Sequence, residues 1–235
     1  MSAVYKRELR AYMNNVYGWL FMAIFLLFTG YMMFQNNLYD GMPEFELTLS
    51  ASQYALLLLI PILCMRSMAE DRHNKTDMFY LSLPMKTSSV VLGKYFAMLT
   101  VYAIPCVILC VYPLVLGAFG PVNYLVAYLS ILLYLILGAA LIAVCQFLSS
   151  LTDNLVIAAV LGVLAVVPLS VVYILSRGSF ENLFPSLLQL LSPFAHFATF
   201  CQFGTFSVPS LILLLSYPVL FVFLTVQSAD KKRWD

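Results

Sequence analysis

The sequence has little charge. Only 10% of its 235 residues are Asp, Glu, Lys or Arg, whereas soluble domains carry about 25%. Hydrophobic residues make up 63%, and the 58 residues at positions 95–152 include none of the four charged types. A soluble fold of this length keeps too much of its surface in water to hide so many apolar side chains. The composition therefore excludes a soluble protein and predicts a polytopic membrane protein.

The sequence also lacks the motifs of common catalytic sites. It contains only two histidines, and none of the patterns HExxH, GxSxG or GxxxxGK[ST] occurs. Without a phosphate-binding loop, the chain has no means of its own to bind and hydrolyse ATP. We therefore expect this chain to be neither an enzyme nor a cofactor-binding protein.

The five cysteines include no CxxC pair and lie in or beside apolar runs. Cys106 and Cys110 are one helical turn apart, a spacing that also suits a soft metal ion. Free thiols in apolar surroundings ordinarily behave as small hydrophobic groups. We interpret the cysteines in that way and predict no metal site.

Six apolar runs approach the ~20 residues that a helix needs to cross a bilayer. They cover residues 17–34, 53–64, 90–116, 124–147, 155–175 and 209–226. The second run is short, so it has to borrow flanking residues such as Leu49 and Met68. The runs contain hardly any ionisable side chains, which argues against an ion-coupled carrier and an intramembrane enzyme. The sequence thus predicts an all-α polytopic membrane protein with six transmembrane helices.

Lysine and arginine are unevenly distributed between the predicted loops. If both termini face the cytoplasm, eleven of the twelve Lys and Arg residues lie inside and only Arg177 lies outside. Cytoplasmic loops of membrane proteins carry such an excess of cations. The apolar run after the first cations is too long for a signal peptide, so we expect it to remain as the first span. We predict a multi-pass protein of the cell membrane with both termini in the cytoplasm.

Two segments are predicted to lie along the membrane rather than across it. In residues 4–16, Tyr5 and further apolar side chains recur at helical spacing, while Lys6, Arg7 and Arg10 occupy the other face. This pattern is typical of an interfacial amphipathic helix beside anionic lipid. Residues 177–208 are apolar but interrupted by prolines and a glycine, which predicts short helices in the outer leaflet between the fifth and sixth spans.

Residues 66–94 form a charged segment between the second and third spans, and we expect this segment to meet water. Eight of the 23 charged residues of the chain fall in these 29 positions. A short amphipathic helix at 76–82, ended near Pro84, would present Met78, Phe79 and Leu81 to a groove of a soluble partner. A hydrated loop whose aromatic residues touch lipid is the alternative. We interpret the segment as a cytoplasmic coupling element.

Several short motifs resemble those of ABC-2-type permeases, especially their gliding-motility-type branch. In the charged segment they are residues 69–72 (AEDR), 75–77 (KTD), 81–84 (LSLP) and 91–94 (VLGK). Lys75 stands where that branch has glycine, and Asp77 stands where it has glutamate. Elsewhere, the similar stretches are residues 5–12 (YKRELRAY), 191–197 (LSPFAHF) and 232–234 (KRW). Residues 206–210 depart from the branch because they lack its acidic residue.

The resemblance implies the membrane subunit of an ABC transporter. Two six-span permeases, either two copies of this chain or this chain and a related one, would assemble with separate cytosolic ATPase subunits that carry ATP and Mg²⁺. The expected direction is export. Because aliphatic and aromatic side chains of the spans would line the cavity, we expect an amphipathic, lipid-like or peptide cargo. Membrane lipid is the other expected partner, and nucleic acid is not expected. A non-transporting membrane anchor or sensor that recruits a cytosolic partner is the alternative.

The resemblance also implies roles for individual residues. ATPase docking and coupling would involve Glu70, Asp71, Arg72, Lys75, Thr76, Asp77 and Pro84. The outer gate would include Pro193, His196 and Phe197. The chain would form a single transmembrane domain, divided into an interfacial helix (1–16), spans 1–2 (17–65), the coupling loop (66–94), spans 3–5 (95–175), an external segment (176–208), span 6 (209–227) and a cytoplasmic tail (228–235).

Overall fold

The computed structural model describes residues 1–73, 87–176, 192–204 and 208–234, and all regular secondary structure in these ranges is helical. The α-helices are α1 (Ser2–Asn14), α2 (Val16–Met33), α3 (Phe45–Cys64), α4 (Ala69–His73), α5 (Thr87–Leu109), α6 (Tyr112–Leu116), α7 (Tyr124–Ser149), α8 (Leu155–Ser176), α9 (Pro193–Phe203) and α10 (Val208–Trp234). A π-helical segment, Phe34–Tyr39, continues α2.

Six stretches within the described ranges are long and apolar enough to cross a membrane. They are Val16–Tyr39, Phe45–His73, Thr87–Leu116, Tyr124–Ser149, Leu155–Val172 and Val208–Lys231. Each stretch overlaps one predicted span, so the predicted class, an all-α protein with six candidate transmembrane helices, is confirmed. The predicted coupling helix at 76–82 and residues 177–191 and 205–207 of the external segment lie outside the described ranges.

The second span begins at Phe45 rather than at residue 53, where the apolar run starts. Its first turns contain polar side chains that are hydrogen-bonded within the bundle. Thr48 donates to the side-chain oxygen of Asn37, and Ser52 donates to the Leu49 carbonyl at 3.0 Å. Because these polar groups are satisfied, the helix continues through sequence that hydropathy alone would assign to a loop.

The third span is interrupted near one end. α5 ends at Leu109, and α6 begins at Tyr112 with Pro113 in its first turn. Proline lacks the N–H that a continuous helix needs, but it fits the first turn of a new helix. The interruption therefore lies where the sequence removes a backbone donor.

α7 is the central helix of the bundle. It packs against α3, α5, α8, α9 and α10, and 72% of its apolar stretch is buried, compared with 17% for α10. Tyr102 of α5 crosses α7 at Gly138, where a Cβ atom would overlap the tyrosine ring. The Tyr102 hydroxyl donates to the Tyr134 carbonyl at 2.8 Å. Gly138 thus allows a large aromatic side chain to pack directly on the backbone of the central helix.

The two ends of the bundle differ in composition. One end, called the charged end below, consists of α1, α4, the first turns of α5 and the turn 150–154 between α7 and α8. The opposite end contains the π-helical segment, α6 and α9. α9 begins after Ser192, whose side chain accepts a hydrogen bond from the Ala195 N–H, and ends at Gly204, whose φ of 61° is left-handed. Both are ordinary helix-end signals, and they place one short helix between the fifth and sixth spans.

Candidate functional site

The charged residues that follow the second span are paired with residues near its end. Arg66 Nε donates to Glu70 Oε2 at 2.8 Å, and the two residues are one helical turn apart. The Arg66 guanidinium also lies over the Tyr17 ring, 4.4 Å from its centroid, in the geometry of a cation–π contact. Glu70, a predicted docking residue, is therefore held against the end of the second span.

Lys94 is buried inside the charged end. Its side chain is only 2% exposed, and its ammonium donates to the Asp71 carboxylate and the Ser67 carbonyl. A buried ammonium without such partners costs several kcal/mol, so these contacts keep α4 and α5 together. This burial differs from the expectation that the whole charged segment meets water, and the reason is that α4 and α5 converge around the lysine.

α7 forms hydrogen bonds to the backbone at the start of α4 and in the first turns of α5. Ser149 Oγ accepts from the backbone N–H groups of Met68, at 3.2 Å, and Ala69, at 3.1 Å. Gln146 Nε2 donates to the Val91 carbonyl at 3.1 Å. The N–H groups at a helix start need acceptors from outside the helix, and here α7 supplies them to α4. The central helix is therefore attached directly to α4 and α5.

Arg72 reaches the turn between α7 and α8. Its Nη1 lies 3.7 Å from Asp153 Oδ1, with the arginine side chain 10% exposed and the aspartate 73% exposed. A pair that is open to water at one partner contributes ~0–1 kcal/mol, so this contact orients Arg72 more than it stabilises the fold. Glu70, Asp71 and Arg72 all have partners within the chain.

We call residues 66–73 and 87–94 the loop base, since they border residues 74–86.

α1 packs closely on the loop base. A Cβ atom at Gly93 would lie 3.1 Å from the Val4 Cβ and 3.3 Å from the Tyr5 backbone nitrogen, so glycine permits this approach. The Tyr5 hydroxyl is 3.0 Å from Thr100 Oγ1 on α5. The cationic residues predicted for this helix are exposed and comprise Lys6, Arg7 and Arg10. α1 therefore has a bundle-facing side and a cationic side, and its position in the headgroup layer stays a prediction.

A groove of about 360 Å³ lies between α1 and α4. Its lining residues are Arg7, Glu8, Ala11, Tyr12, Asn15, Arg66, Glu70 and Asp71. Arg7 and Glu8 form an ion pair of 2.6 Å. The Tyr12 hydroxyl donates to the Leu63 carbonyl at 3.2 Å, and burial raises the pKa of the Tyr12 phenol well above its usual value, which keeps it neutral. The groove brings residues of the predicted interfacial helix and the predicted docking segment together.

The residues predicted for the outer gate lie on α9, at the opposite end of the bundle. Phe197 is completely buried, and its ring centroid is 5.5 Å from that of Tyr134 on α7. His196 is half-buried, and its Nδ1 lies 2.9 Å from Ser210 Oγ. Pro193 occupies the first turn of α9. α9 thus packs against four helices, α3, α7, α8 and α10, and its role as a gate stays a prediction.

Four predicted docking residues, Lys75, Thr76, Asp77 and Pro84, lie outside the described ranges. Conversely, three residues at the charged end were not predicted from the sequence: Ser67, Ser149 and Asp153. Asp153 carried a usable signal, because it is the first charge after 58 uncharged residues and falls in a predicted cytoplasmic turn. Ser67 contributes through its carbonyl and Ser149 through a helix cap, and neither contact has a signature in the sequence.

The second span carries an unpaired amide in the bundle interior. Gln53 is completely buried, and neither of its side-chain polar atoms has a hydrogen-bond partner among the described residues. Leaving such a group unsatisfied costs ~1–3 kcal/mol. Gln146 is equally buried, but its nitrogen donates to a carbonyl. The two glutamines therefore form a contrast that the sequence does not reveal.

A second groove, of about 550 Å³, lies between three spans. Its lining residues come from α7, α8 and α10 and comprise Val144, Phe147, Leu148, Ala165, Leu169, Leu213, Ser216, Tyr217, Leu220 and Phe221. The Phe147 and Phe221 rings are in contact there, with centroids 6.0 Å apart. This groove suits an apolar group much better than a charged one.

Comparison with protein families gives a match that covers most of the chain. The family model described as ABC-2 family transporter protein matches residues 45–226, a range that runs from the start of α3 into the last span and includes the loop base. A comparison with curated proteins gives no match. Since the match covers well over half of a chain with six candidate spans, the chain belongs to the ABC-2 transporter family and is a permease subunit of an ABC transporter.

Proposed function

We propose that this permease exports an amphipathic, lipid-like or peptide cargo and is driven by separate ATPase subunits that carry ATP and Mg²⁺. The charged end would face the cytoplasm, since that orientation places eleven of the twelve Lys and Arg residues inside. Both termini would then be cytoplasmic. The quoted motifs favour the gliding-motility-type branch of the family. A second permease subunit, identical or related, would complete the transmembrane part.

The ATPase would dock on residues 74–86, which include Lys75, Thr76, Asp77 and Pro84. The observation that carries this proposal is the bracing of the loop base. Lys94 joins its two sides, and α7 is hydrogen-bonded to each of them. Glu70, Asp71 and Arg72 would therefore act as braces that hold the docking segment in place, rather than as the surface that the ATPase touches.

Movement of the loop base would reach the opposite end of the bundle through α7. Rigid helices with defined contacts at both ends are suitable elements for such coupling. At its C-terminal end α7 binds the loop base through Gln146 and Ser149, and in its N-terminal half its Tyr134 contacts Phe197 of α9. We infer that ATP-driven closure of the ATPases pulls on the loop base and displaces α9 by way of α7.

The apolar groove between α7, α8 and α10 supports an amphipathic cargo. Its walls are aliphatic and aromatic apart from the hydroxyl groups of Ser216 and Tyr217, and the groove lies within candidate spans. A hydrocarbon or aromatic part of a cargo would be favoured there by the hydrophobic effect. A polar solute would leave its hydrogen-bonding groups unpaired.

The docking proposal is tested by purifying the tagged full-length chain in nanodiscs and measuring the vanadate-sensitive ATP hydrolysis that co-purifies. Asp77→Lys reverses a charge in the proposed docking segment and should remove most of this activity. The matched control Asp40→Lys reverses a charge at the opposite end, where Asp40 is exposed, and should retain it. Full activity in the Asp77 variant would overturn the docking proposal.

The same preparation separates a transporter from a recruiting anchor. A transporter couples hydrolysis to cargo, so total lipid and peptide extracts of the membrane should stimulate the ATPase only when the permease is present. An anchor would bind the ATPase but leave its hydrolysis rate unchanged by the extracts.

A further inference from the structure

Two spaces at the charged end meet at the side chains of Tyr12 and Arg66. One is the groove of about 360 Å³ between α1 and α4, whose volume falls in the range of ~300–1,000 Å³ typical of small-molecule sites. The other is an apolar crevice between α2 and α3. The crevice is lined by Tyr12, Tyr17, Leu20, Phe21, Ile24, Leu59, Ile62, Leu63 and Arg66. A polar compartment therefore borders an apolar one, with Tyr12 and Arg66 between them.

The crevice offers an apolar surface along which part of a hydrocarbon chain can lie. Its inner wall is buried and consists of Phe21, Leu59 and Leu63, which are at most 7% exposed. Its rim is exposed on the outer surface of the two spans and includes Leu20 and Ile24, at 46% and 42%. The enclosed volume is only about 30 Å³, so a chain would lie along the crevice with one side toward the bilayer.

The charges around the polar groove are of both signs. Among the described residues, two arginines and three carboxylates line it, and the described contacts pair Arg7 with Glu8, Arg66 with Glu70, and Asp71 with Lys94. A purely anionic headgroup would meet three carboxylates, and a purely cationic one would meet two guanidinium groups. A headgroup that carries both a phosphate and an ammonium can place each charge beside its opposite.

We propose that the groove and crevice together bind one zwitterionic phospholipid of the phosphatidylethanolamine class, from the leaflet that borders the charged end. The phosphate lies by Arg7 and Arg66, and the ammonium lies by Glu8 and Asp71. One acyl chain follows the crevice between α2 and α3. The lipid thereby links α1 to the second span. This site does not depend on the ATPase or on the cargo.

The test is native mass spectrometry of the full-length chain from nanodiscs that contain equal amounts of phosphatidylethanolamine, phosphatidylglycerol and phosphatidylcholine. The wild type should retain one phosphatidylethanolamine per chain. Ala11→Trp fills the groove from an exposed position on α1 without removing a charge, and should lower this retention about tenfold. Ala3→Trp is the matched control, because Ala3 is also exposed on α1 but does not line the groove, and it should bind as the wild type does.

Three results would overturn the proposal. One is equal retention of phosphatidylethanolamine by the two tryptophan variants, and another is a preference for phosphatidylglycerol. The third is displacement of the lipid by millimolar free phosphoethanolamine, which would show that only the headgroup is recognised. The thermal midpoint of each variant is measured alongside, and an Ala11→Trp variant with an unchanged midpoint ties the loss of lipid to the groove.

The lipid test and the transport proposal can fail separately. Co-purified ATP hydrolysis is measured for Ala11→Trp and Ala3→Trp in the same nanodiscs, and both variants should keep it if the groove is a lipid site. If Ala11→Trp loses the ATPase but keeps the lipid, the groove belongs to the partner protein and the lipid proposal is wrong.

Discussion

Replacing Lys94 by methionine is the most direct test of the loop base. Methionine matches the lysine side chain as far as Cε but lacks the ammonium that binds the Asp71 carboxylate and the Ser67 carbonyl. Breaking a buried ion pair by removing one partner costs ~3–5 kcal/mol. Because the Asp71 side chain is 19% exposed, water can partly solvate its carboxylate, and we expect the lower limit, ~3 kcal/mol.

Thermal unfolding in nanodiscs measures this loss. For a chain of 150–250 residues, 1 kcal/mol corresponds to ~2–4 °C, so Lys94→Met should lower the midpoint by ~6–12 °C. Lys6→Met is the matched control, because Lys6 is exposed, and it should change the midpoint by less than ~2 °C. The double variant Lys94→Met with Asp71→Asn should lose less than the sum of the two single variants, since both remove the same pair. Additive losses, or a Lys94→Met midpoint equal to that of the control, would refute the bracing role of Lys94.

Three further predictions concern the bundle interior and the start of α4. Gly138→Ala should lower the free energy of unfolding by ~1–3 kcal/mol, because the new Cβ atom overlaps the Tyr102 ring. Gly30→Ala is the control: its new Cβ atom would lie 3.5 Å from its nearest neighbour, so this variant should be close to neutral in the same unfolding assay. Gln53→Leu should raise the thermal midpoint, because it removes an unpaired buried amide. Gln146→Leu should lower the midpoint, because it removes the hydrogen bond to the Val91 carbonyl. A lower midpoint for Gln53→Leu would contradict the conclusion that the Gln53 amide is unpaired. Ser149→Ala should lower the free energy of unfolding by about 1 kcal/mol, because α4 loses the side chain that caps its start. Hydrogen exchange at the Met68 and Ala69 amides should become faster, whereas the exposed-site variant Ser2→Ala should leave both amides protected. Equal exchange rates in the two variants would contradict the capping role of Ser149.

Hydropathy predicts the spans because the bilayer is a uniform solvent over ~30 Å. A helix that crosses it must be apolar along its length, and this requirement is local in sequence. The prediction weakens where polar side chains find partners inside the bundle. Of residues 45–52, only Leu49 was named as a flanking extension of the second span, because the pairing of Thr48 with Asn37 depends on the preceding span and has no signal in the sequence around Thr48.

At the charged end, the limit of prediction from the sequence is a different one. The charges of residues 66–94 are visible in the sequence and predict a polar junction, and their assignment to one end of the bundle follows from the order of the spans. Their partners are not predictable in the same way. Lys94 binds Asp71, which is 23 residues earlier, and Ser149 binds amides that are 80 and 81 residues away. Such contacts depend on which helices are neighbours, and periodicity within one helix does not determine that.

The concentration of polar contacts at the charged end has a physical reason. Within a bilayer, lipid tails are as apolar as leucine, so contacts between apolar helix faces do little to select one neighbour or one register over another. Hydrogen bonds and ion pairs are directional and lose most of their value when a helix slides by one turn. Lys94, Gln146 and Ser149 therefore fix α4, α5 and α7 in one register, while the apolar faces supply most of the buried area. The mechanism proposed above, in which force passes through the helices, needs that register to hold while the bundle moves, and the buried pair of Lys94 and Asp71 would serve that need despite its desolvation cost.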